Sequence, residues 1–517
     1  MVVFANCCPF LNIFHKPPPY SPSTHFYSRD STSYPHSQLP CTSISMNLAK
    51  DFLKFVDASP SPFHAVESCI ARLVKAGFTE LKEGDAWTTS TVLANGKYFF
   101  SRNKSAIIAF CVGGKYSPTS GFSIIGAHTD SPCLKIKPRS KREKAGCIQV
   151  GVELYGGGLW HTWFDRDLSV AGRVLVATKN TQGVESFTHA LAKIDKPLLR
   201  IPTLAIHLDR SANDGFNFNK EVQLTPILGI AQKILEKKDD TNDVGTLHHP
   251  MLLKEVATNL GVQAEAIRDF ELCLYDTQPS SIGGANNEFI HSARLDNLMM
   301  SFCALTAIIE SANTLDQDSK IRVVGLFDNE EVGSQTAHGA NSNFMQTTLQ
   351  RLSDMDIGGS SQVLAGARYE RSMVNSLLIS ADMAHALHPN YSEKHEDNHR
   401  PLINSGVVIK QNANQRYATT AISTLILREV AKLAGKEGSG GVALQEFVVR
   451  NDSPCGSTIG PMLSASLGVR TVDVGNPQWS MHSIRETCGV EDVQHAVNLF
   501  KSFFDHFAAV DARIPRL

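Results

Sequence analysis

The chain has 517 residues, 42% hydrophobic and 19% charged, enough for two or more domains with sizeable cores. Its 49 Lys+Arg against 51 Asp+Glu leave a net charge of −2, without the electrostatic footprint of a nucleic-acid or membrane-surface binder. No uninterrupted apolar run reaches the roughly 18–20 residues of a membrane span, and eleven scattered cysteines without a C-x-x-C pair argue for a reducing compartment and against a thiolate zinc site.

Residues 1–45 are rich in Ser, Thr and Pro, carry one acid, Asp30, and lack apolar periodicity. They read as a disordered tail or as a transit peptide, and the scarcity of Arg fits a plastid destination. Without such a peptide the expected compartment is cytoplasmic. Folded sequence is expected from Met46. Leu48, Phe52, Phe55 and Val56 share one helical face. A second helix has Ser61 as N-cap, Pro62 in its first turn, an apolar stripe at Val66, Ile70, Leu73 and Val74, and Gly77 as its stop. Strands are expected in "KYFFSR", "SAIIAFCV" and "GFSIIGAHTD". Residues 46–133 thus form the first part of one domain.

Residues 134–275 differ in texture, with short β-like runs, Gly-rich turns and a charged linker near "QKILEKKDDTNDVG". They read as a β-rich inserted domain. From 276 to 517 strands and helices alternate again. "SARLDNLMMSFCALTAIIESA" is an amphipathic helix, followed by "KIRVVGLF", "SLLISADM", the helix "TTAISTLILREVAKLAG", "LQEFVVRND", "VRTVDVG" and a last helix, "EDVQHAVNLFKSFFDHF". Apolar, β-branched strands alternating with helices predict an α/β fold with a mostly parallel sheet sandwiched by helices.

Acids and histidines gather where these strands end. "GFSIIGA" runs into His128 and Asp130, "RVVGLF" into Asp328, Glu330 and Glu331, "SLLIS" into Asp382, and "RTVDVGNPQWSM" into His482; Asp296 opens a helix. Sites in open α/β sheets lie outside the carboxyl ends of strands. Carboxylates mixed with imidazoles suit zinc, manganese or cobalt. Singly, each has a plainer reading: a His after a strand is usually a turn residue, Asp296 favours a helix N-terminus, and Asp382 caps a helix "MAHAL". Their repetition at one end of the sheet points to a shared metal site. "HEDNH" at 395–399 matches H-E-x-x-H, but Pro389 and Pro401 flank it and it has no apolar stripe, so a loop is expected rather than a zinc-binding helix. "GSTIG" places Thr458 where a nucleophilic hydrolase needs Ser.

The motifs "GAHTDSPCLK", "GGGLWHTWFDRDL", "SARLDN", "FDNEEVGS", "ISADMAHALHPNYSEKHEDNHRP", "NDSPCGSTIGP" and "MHSIRE", in order from about Met46 to the C-terminus, closely resemble the aspartyl aminopeptidase family of dinuclear zinc exopeptidases. The resemblance implies two Zn2+ per subunit, with Mn2+ or Co2+ as substitutes. Asp296 would bridge them, His128 and Asp382 would complete one site, and Glu331 and His482 the other. Glu330 would be the general base and Asp130 the carboxylate that orients His128. Substrate contacts would fall to Glu330, Asp382, His385, Lys410, Tyr417 and, from a neighbouring subunit, His207. By itself Lys410 reads as an exposed lysine beside a strand.

The resemblance further implies a metallopeptidase domain (46–133 and 276–517) interrupted by an inserted oligomerisation domain (134–275), a dodecameric assembly, and peptide substrates with an acidic N-terminal residue. The alternatives are a vacuolar-type relative preferring neutral, Leu-like N-terminal residues, and a non-catalytic peptide-binding scaffold. Asp328 is expected to hold loop N–H groups.

Overall fold

In the computed structural model, which describes residues 43–231, 243–357, 367–434 and 441–514, nine strands form one sheet. In spatial order they are Thr79–Glu80, Lys97–Arg102, Ala106–Val112, Ile321–Phe327, Phe122–His128, Leu377–Ala381, Arg470–Gly475, Val407–Gln411 and Leu444–Val448. The four from Ile321–Phe327 to Arg470–Gly475 are mutually parallel. Three of these, Ile321–Phe327, Phe122–His128 and Leu377–Ala381, are buried along their whole length, as strands covered on both faces must be.

Helices cover both faces. Ser43–Asp57, Pro62–Lys75, Leu295–Ser311, Ala421–Lys432 and Val490–Asp511 share one apolar core with the sheet, while Phe344–Asp354 and Ile459–Leu467 pack in the other. The first helix begins ahead of Met46; the rest of the expected tail, residues 1–42, lies outside the described residues. Ser61 caps the second helix through the N–H of His64. Its buried face runs through Val66, Cys69 and Leu73, and Val74 falls off the edge, 57% exposed. The helix expected to be amphipathic, Leu295–Ser311, is instead buried on nearly every face. It is gripped between the sheet and the C-terminal helix, and a helix with that setting is apolar all round. The stretch Leu295–Gln317 is apolar and long enough to cross a membrane by composition, but it serves as core: 67% of its most apolar window is buried.

A second, six-stranded sheet is antiparallel throughout: Glu185–Lys193, Leu168–Lys179, Ile267–Asp276, Cys133–Lys144, Cys147–Tyr155 and Ile227–Ile230. It has its own core around Trp160, Trp163, Val170 and Leu274. A third sheet of five short strands includes Phe289–Ser292, Pro477–Trp479 and Glu486–Gly489. Here the plainer reading of Asp382, as the cap of a helix "MAHAL", fails: the segment contains the short strand Ala384–His385 instead. Ala384–His385 pairs in parallel with Pro477–Gln478, so tertiary pairing overrides local helix propensity.

Candidate metal centre

Three neighbouring parallel strands point their carboxyl ends at one place. Phe122–His128 ends on His128, Ile321–Phe327 leads into Glu330 and Glu331, and Leu377–Ala381 leads into Asp382. A continuing strand would send Glu330 and Glu331 to opposite faces. The chain curls instead: Asn329 (φ 62) and Gly333 (φ 98) are left-handed and bracket a 3-10 turn at Glu330–Val332. Asn and Gly are the residues that accept this conformation at least cost. Asp296 sits in a non-helical kink (φ −81, ψ 110) at the start of its helix. His482 comes from the turn after Pro477–Trp479 and is itself left-handed (φ 68).

These side chains meet. His128 Nε2 lies 3.4 Å from Asp296 Oδ1, 3.7 Å from Asp382 Oδ1 and 3.8 Å from Glu330 Oε2. His482 Nε2 lies 3.3 Å from Asp296 Oδ2 and 3.4 Å from Glu331 Oε2. Asp296 therefore turns one oxygen to each histidine. The remaining ring nitrogens are held from behind. His128 Nδ1 is 3.0 Å from the Asp130 carbonyl and 3.4 Å from its carboxylate, and His482 Nδ1 is 3.1 Å from the Gly157 carbonyl. Fixing the rear nitrogen in this way sets which nitrogen is free to bind a metal.

The cluster lacks positive charge. The carboxylates of Asp130, Asp296, Glu330, Glu331, Asp382 and Glu486 outnumber the basic groups His128, His482 and Lys410. Burial pushes Glu330 up to about 8; His128 opposes the rise, and Asp382, Asp130 and Asp296 add to it. Burial, then the Asp296 charge, also raises Glu331. Burial disfavours the charged form of His482, yet Asp296 and Glu331 lift it to about 10. Burial would raise Asp296, but the two facing imidazoles hold it below the ordinary carboxylate range. Protonated glutamates beside charged imidazoles are what such a site adopts when no cation compensates it.

The donor set fits a metal. The ligand atoms of His128, Asp296 and Glu331 lie within 4.8 Å of one another. Asp296 Oδ1 and Glu331 Oε1 are buried and have no hydrogen-bond partner among the described residues. An orphaned buried oxygen costs about 1–3 kcal/mol, which a coordinated cation removes. Two ligand atoms about 2.0–2.1 Å from one tetrahedral zinc stand about 3.3–3.4 Å apart. The four closer imidazole–carboxylate separations, 3.3–3.7 Å, are nearer to that spacing than to the roughly 2.7–2.9 Å of a charged hydrogen bond.

The comparisons with known proteins agree. The family model described as "Aminopeptidase I zinc metalloprotease (M18)" matches residues 55–504. The chain belongs to the M18 family of zinc aminopeptidases. It is 52% identical over 492 residues to the aspartyl aminopeptidase of Aspergillus oryzae, covering 90% of this chain and 97% of that one. Among solved structures it resembles the one described as the cryo-EM structure of the Ape4 and Nbr1 complex, with a TM-score of 0.86 and 47% identity over 92% of this chain and 88% of that one. It also resembles the mApe1 dodecamer of S. cerevisiae, with a TM-score of 0.79 and 30% identity over 91% of this chain and 99% of that one.

The other expected M18 site residues divide. Lys410 is not exposed. It is 3% exposed on the interior strand Val407–Gln411, with Nζ 3.6 Å from Asp382 Oδ2 and donating to the Met383 carbonyl at 3.0 Å. Its ammonium also stands 5.2 Å from the ring centre of buried Tyr417. His385 is solvent-accessible, yet the protein crowding it, then the Lys410 charge, push its imidazole down to about 4. His207 is exposed in a turn among Leu204, Ile206 and Leu208, and no hydrogen bond or ion pair joins it to the cluster among the described residues. The "HEDNH" stretch is a loop, where His395 Nε2 accepts the His388 N–H and His399 faces Glu396.

In this M18 site two residues went unnoticed in the sequence. Tyr155, from the second sheet, donates to Asp130 Oδ2 at 2.6 Å and accepts from Asn329 Nδ2 at 2.9 Å. Glu486 accepts the N–H groups of His482 and Asp296. The signal for Glu486 was an acid four residues after His482; Tyr155 had none. Asp328 accepts the Asn329 N–H at 2.8 Å, and burial followed by the Asp130 charge pushes its carboxyl up to about 7.

Proposed function

We propose that this M18 aminopeptidase carries two zinc ions per subunit and removes Asp or Glu from the N-termini of peptides. One ion would be held by His128, Asp382 and Asp296, the other by Asp296, Glu331 and His482. The observation that carries this reading is the division of the Asp296 oxygens between His128 and His482. A carboxylate has two oxygens to share and an imidazole does not. When bound, zinc supplies Lewis acidity to the scissile carbonyl and to water. Manganese or cobalt would suit the same donors.

Glu330 takes a proton from the attacking water and delivers it to the leaving amine. Its side chain stands 3.8 Å from His128 Nε2 with no closer partner among the described residues, which supports that role, since a base must stay free of the metal. Asp130 holds His128 in the tautomer that leaves Nε2 free. Lys410 supplies the cation for an acidic side chain, with His385 and Tyr417 beside it. The relative named an aspartyl aminopeptidase, 52% identical, supports the acidic preference.

His207 would serve the site of a neighbouring subunit. Its exposure between exposed Leu204, Ile206 and Leu208 supports burial in an assembly, and the resemblance to the S. cerevisiae dodecamer supports a homo-dodecamer. Residues 134–275 would then be the oligomerisation insert, with 46–133 and 276–517 as the catalytic domain. Residues 1–45 would act as a plastid transit peptide, and without that role the chain would be cytoplasmic.

The test is zinc content together with turnover of Asp-, Glu- and Leu-anilides, with and without chelator. Two zincs per subunit and a preference for Asp or Glu are expected. Equal or better turnover of the Leu substrate would overturn the acidic specificity and favour the neutral-preferring alternative. Zinc without turnover of any of them would leave the non-catalytic scaffold.

A further inference from the structure

We propose that Glu486 is the positioning residue for the His482 half of the metal centre, and that without its carboxylate that half binds zinc weakly. This rests on the two-zinc reading above.

Glu486 opens the strand Glu486–Gly489 and is 2% exposed. Its strand pairs antiparallel with Phe289–Ser292, and Glu486 itself stands opposite Ser292, just before the segment that carries Asp296. Its own turn carries His482. One side chain can thus reach both ligand-bearing segments. Oε1 accepts the His482 N–H at 2.8 Å, and Oε2 accepts the Asp296 N–H at 3.1 Å. Gln478 Nε2 lies 3.5 Å from Oε1. Each carboxylate oxygen is committed to a backbone N–H, so Glu486 frames the site rather than joining the ligands.

The turn at His482 needs such a hold. His482 is left-handed, a conformation a non-glycine residue keeps only where its surroundings fix it. Asp296 departs from helical geometry inside a helix. Asp130 does the same work for the loop bearing the glutamates. Its two oxygens accept the N–H groups of Glu330 and Glu331, each at 3.1 Å. Two buried carboxylates therefore grip the backbones of Glu330, Glu331, Asp296 and His482. A carboxylate is the group that can do this. The isosteric amide of glutamine has one acceptor and one donor, so one backbone N–H would face an NH2 group and lose its partner.

The experiment uses the full chain carrying Glu486→Gln, dialysed into zinc-buffered solution. It measures zinc per subunit and both affinities by competition with a chromophoric chelator. The wild-type chain is expected to bind two zincs tightly. The variant is expected to bind the zinc of the His482 site about 10- to 100-fold more weakly, the range for losing a partner that orients a ligand, and the other zinc, which shares only Asp296 with it, is expected to weaken by a smaller factor. Its activity returns as zinc is raised. Two zincs at wild-type affinity, with only a lower Tm of the zinc-free protein, would show a merely structural residue and overturn the proposal. If Glu486→Gln does not fold, Glu486→Asp keeps the charge but is one methylene shorter; it is expected to weaken the same zinc, and unchanged affinity there overturns the proposal equally. A wild-type chain binding fewer than two zincs overturns the two-zinc reading and this inference with it. Two zincs in the wild type, and two bound at wild-type affinity in the variant, overturn this inference alone.

Discussion

Glu330 and Glu331 are consecutive in the chain, yet their carboxylates face different histidines. Glu330 Oε2 lies 3.8 Å from His128 Nε2, and Glu331 Oε2 lies 3.4 Å from His482 Nε2. The left-handed Asn329 and Gly333 make this possible by curling the chain out of its strand. Asp130 then locks the curl through both glutamate N–H groups. Adjacent carboxylates repel, so the pair is tolerable only if the two have different chemical fates.

Their isosteric variants should therefore differ in kind. Glu330→Gln is expected to keep its full zinc content and to lose about 10²- to 10⁴-fold in kcat, the usual contribution of a general base. Glu331→Gln is expected to lose zinc at ordinary free-metal concentrations. Metal analysis beside steady-state kinetics separates them. A Glu330→Gln enzyme with normal turnover would remove Glu330 from the role of base.

Lys410 is buried against Asp382 and the Met383 carbonyl, beside the ring of Tyr417. Replacing it by Met removes the cation offered to an acidic substrate side chain. A hydrogen bond to a charged group contributes about 1.5–3 kcal/mol, so kcat/KM for an Asp-anilide should fall roughly 10- to 100-fold. The Leu-anilide should change far less. An equal loss on both substrates would mean that Lys410 supports the site without reading the substrate.

His395 and His399 provide a control on the metal ligands. They match a zinc-binding pattern in spacing but lie in a loop, with His395 accepting a backbone N–H. His395→Ala and His399→Ala should each retain wild-type zinc content. Loss of zinc in either would make that histidine a metal ligand in place of one of His128, Asp296, Glu331, Asp382 and His482.

Much of this was legible because runs such as "RVVGLF" end abruptly in acids, and a parallel sheet gathers its strand ends at one edge. His128, Asp382 and the glutamate pair follow from that rule. Lys410 does not. Its strand is interior, between Arg470–Gly475 and Leu444–Val448, so every residue from Val407 to Lys410 is buried. Period-two alternation carries no information on such a strand. The plainer reading of Asp382 as a helix cap fails because the state of the segment after it is set by pairing with Pro477–Gln478, almost a hundred residues away. Tyr155 gives no signal for a similar reason: its carboxylate and amide partners are brought near only by the fold, whereas Glu486 shows in the sequence only as an acid four residues after His482.

The metal-free cluster should also betray itself in the pH dependence of stability. Glu330 and Glu486 are both pushed up to about 8, Glu330 by burial and Glu486 by burial and the Asp296 charge, against an ordinary value of 4.5. A carboxyl with a raised folded pKa keeps its proton in the folded state after the unfolded chain has released it. Folding therefore weakens as pH climbs from about 4.5 to 8. His482, lifted from 6.5 to about 10, acts in the same direction: its contribution is whole below 6.5 and is lost as pH rises through 10. Zinc needs its ligands His482 and Glu331 deprotonated, and both are raised in the metal-free cluster, so its binding strengthens as pH rises. Below pH 6.5 His385 and His64, pushed down to about 4, act in the opposite direction, so the Tm of chelator-treated protein is expected to fall from pH 7 to 9, while the gain in Tm on adding zinc grows. Differential scanning fluorimetry at fixed free zinc measures both. A zinc-free Tm that rises with pH across this window would mean that these carboxyls are not held protonated in the folded chain.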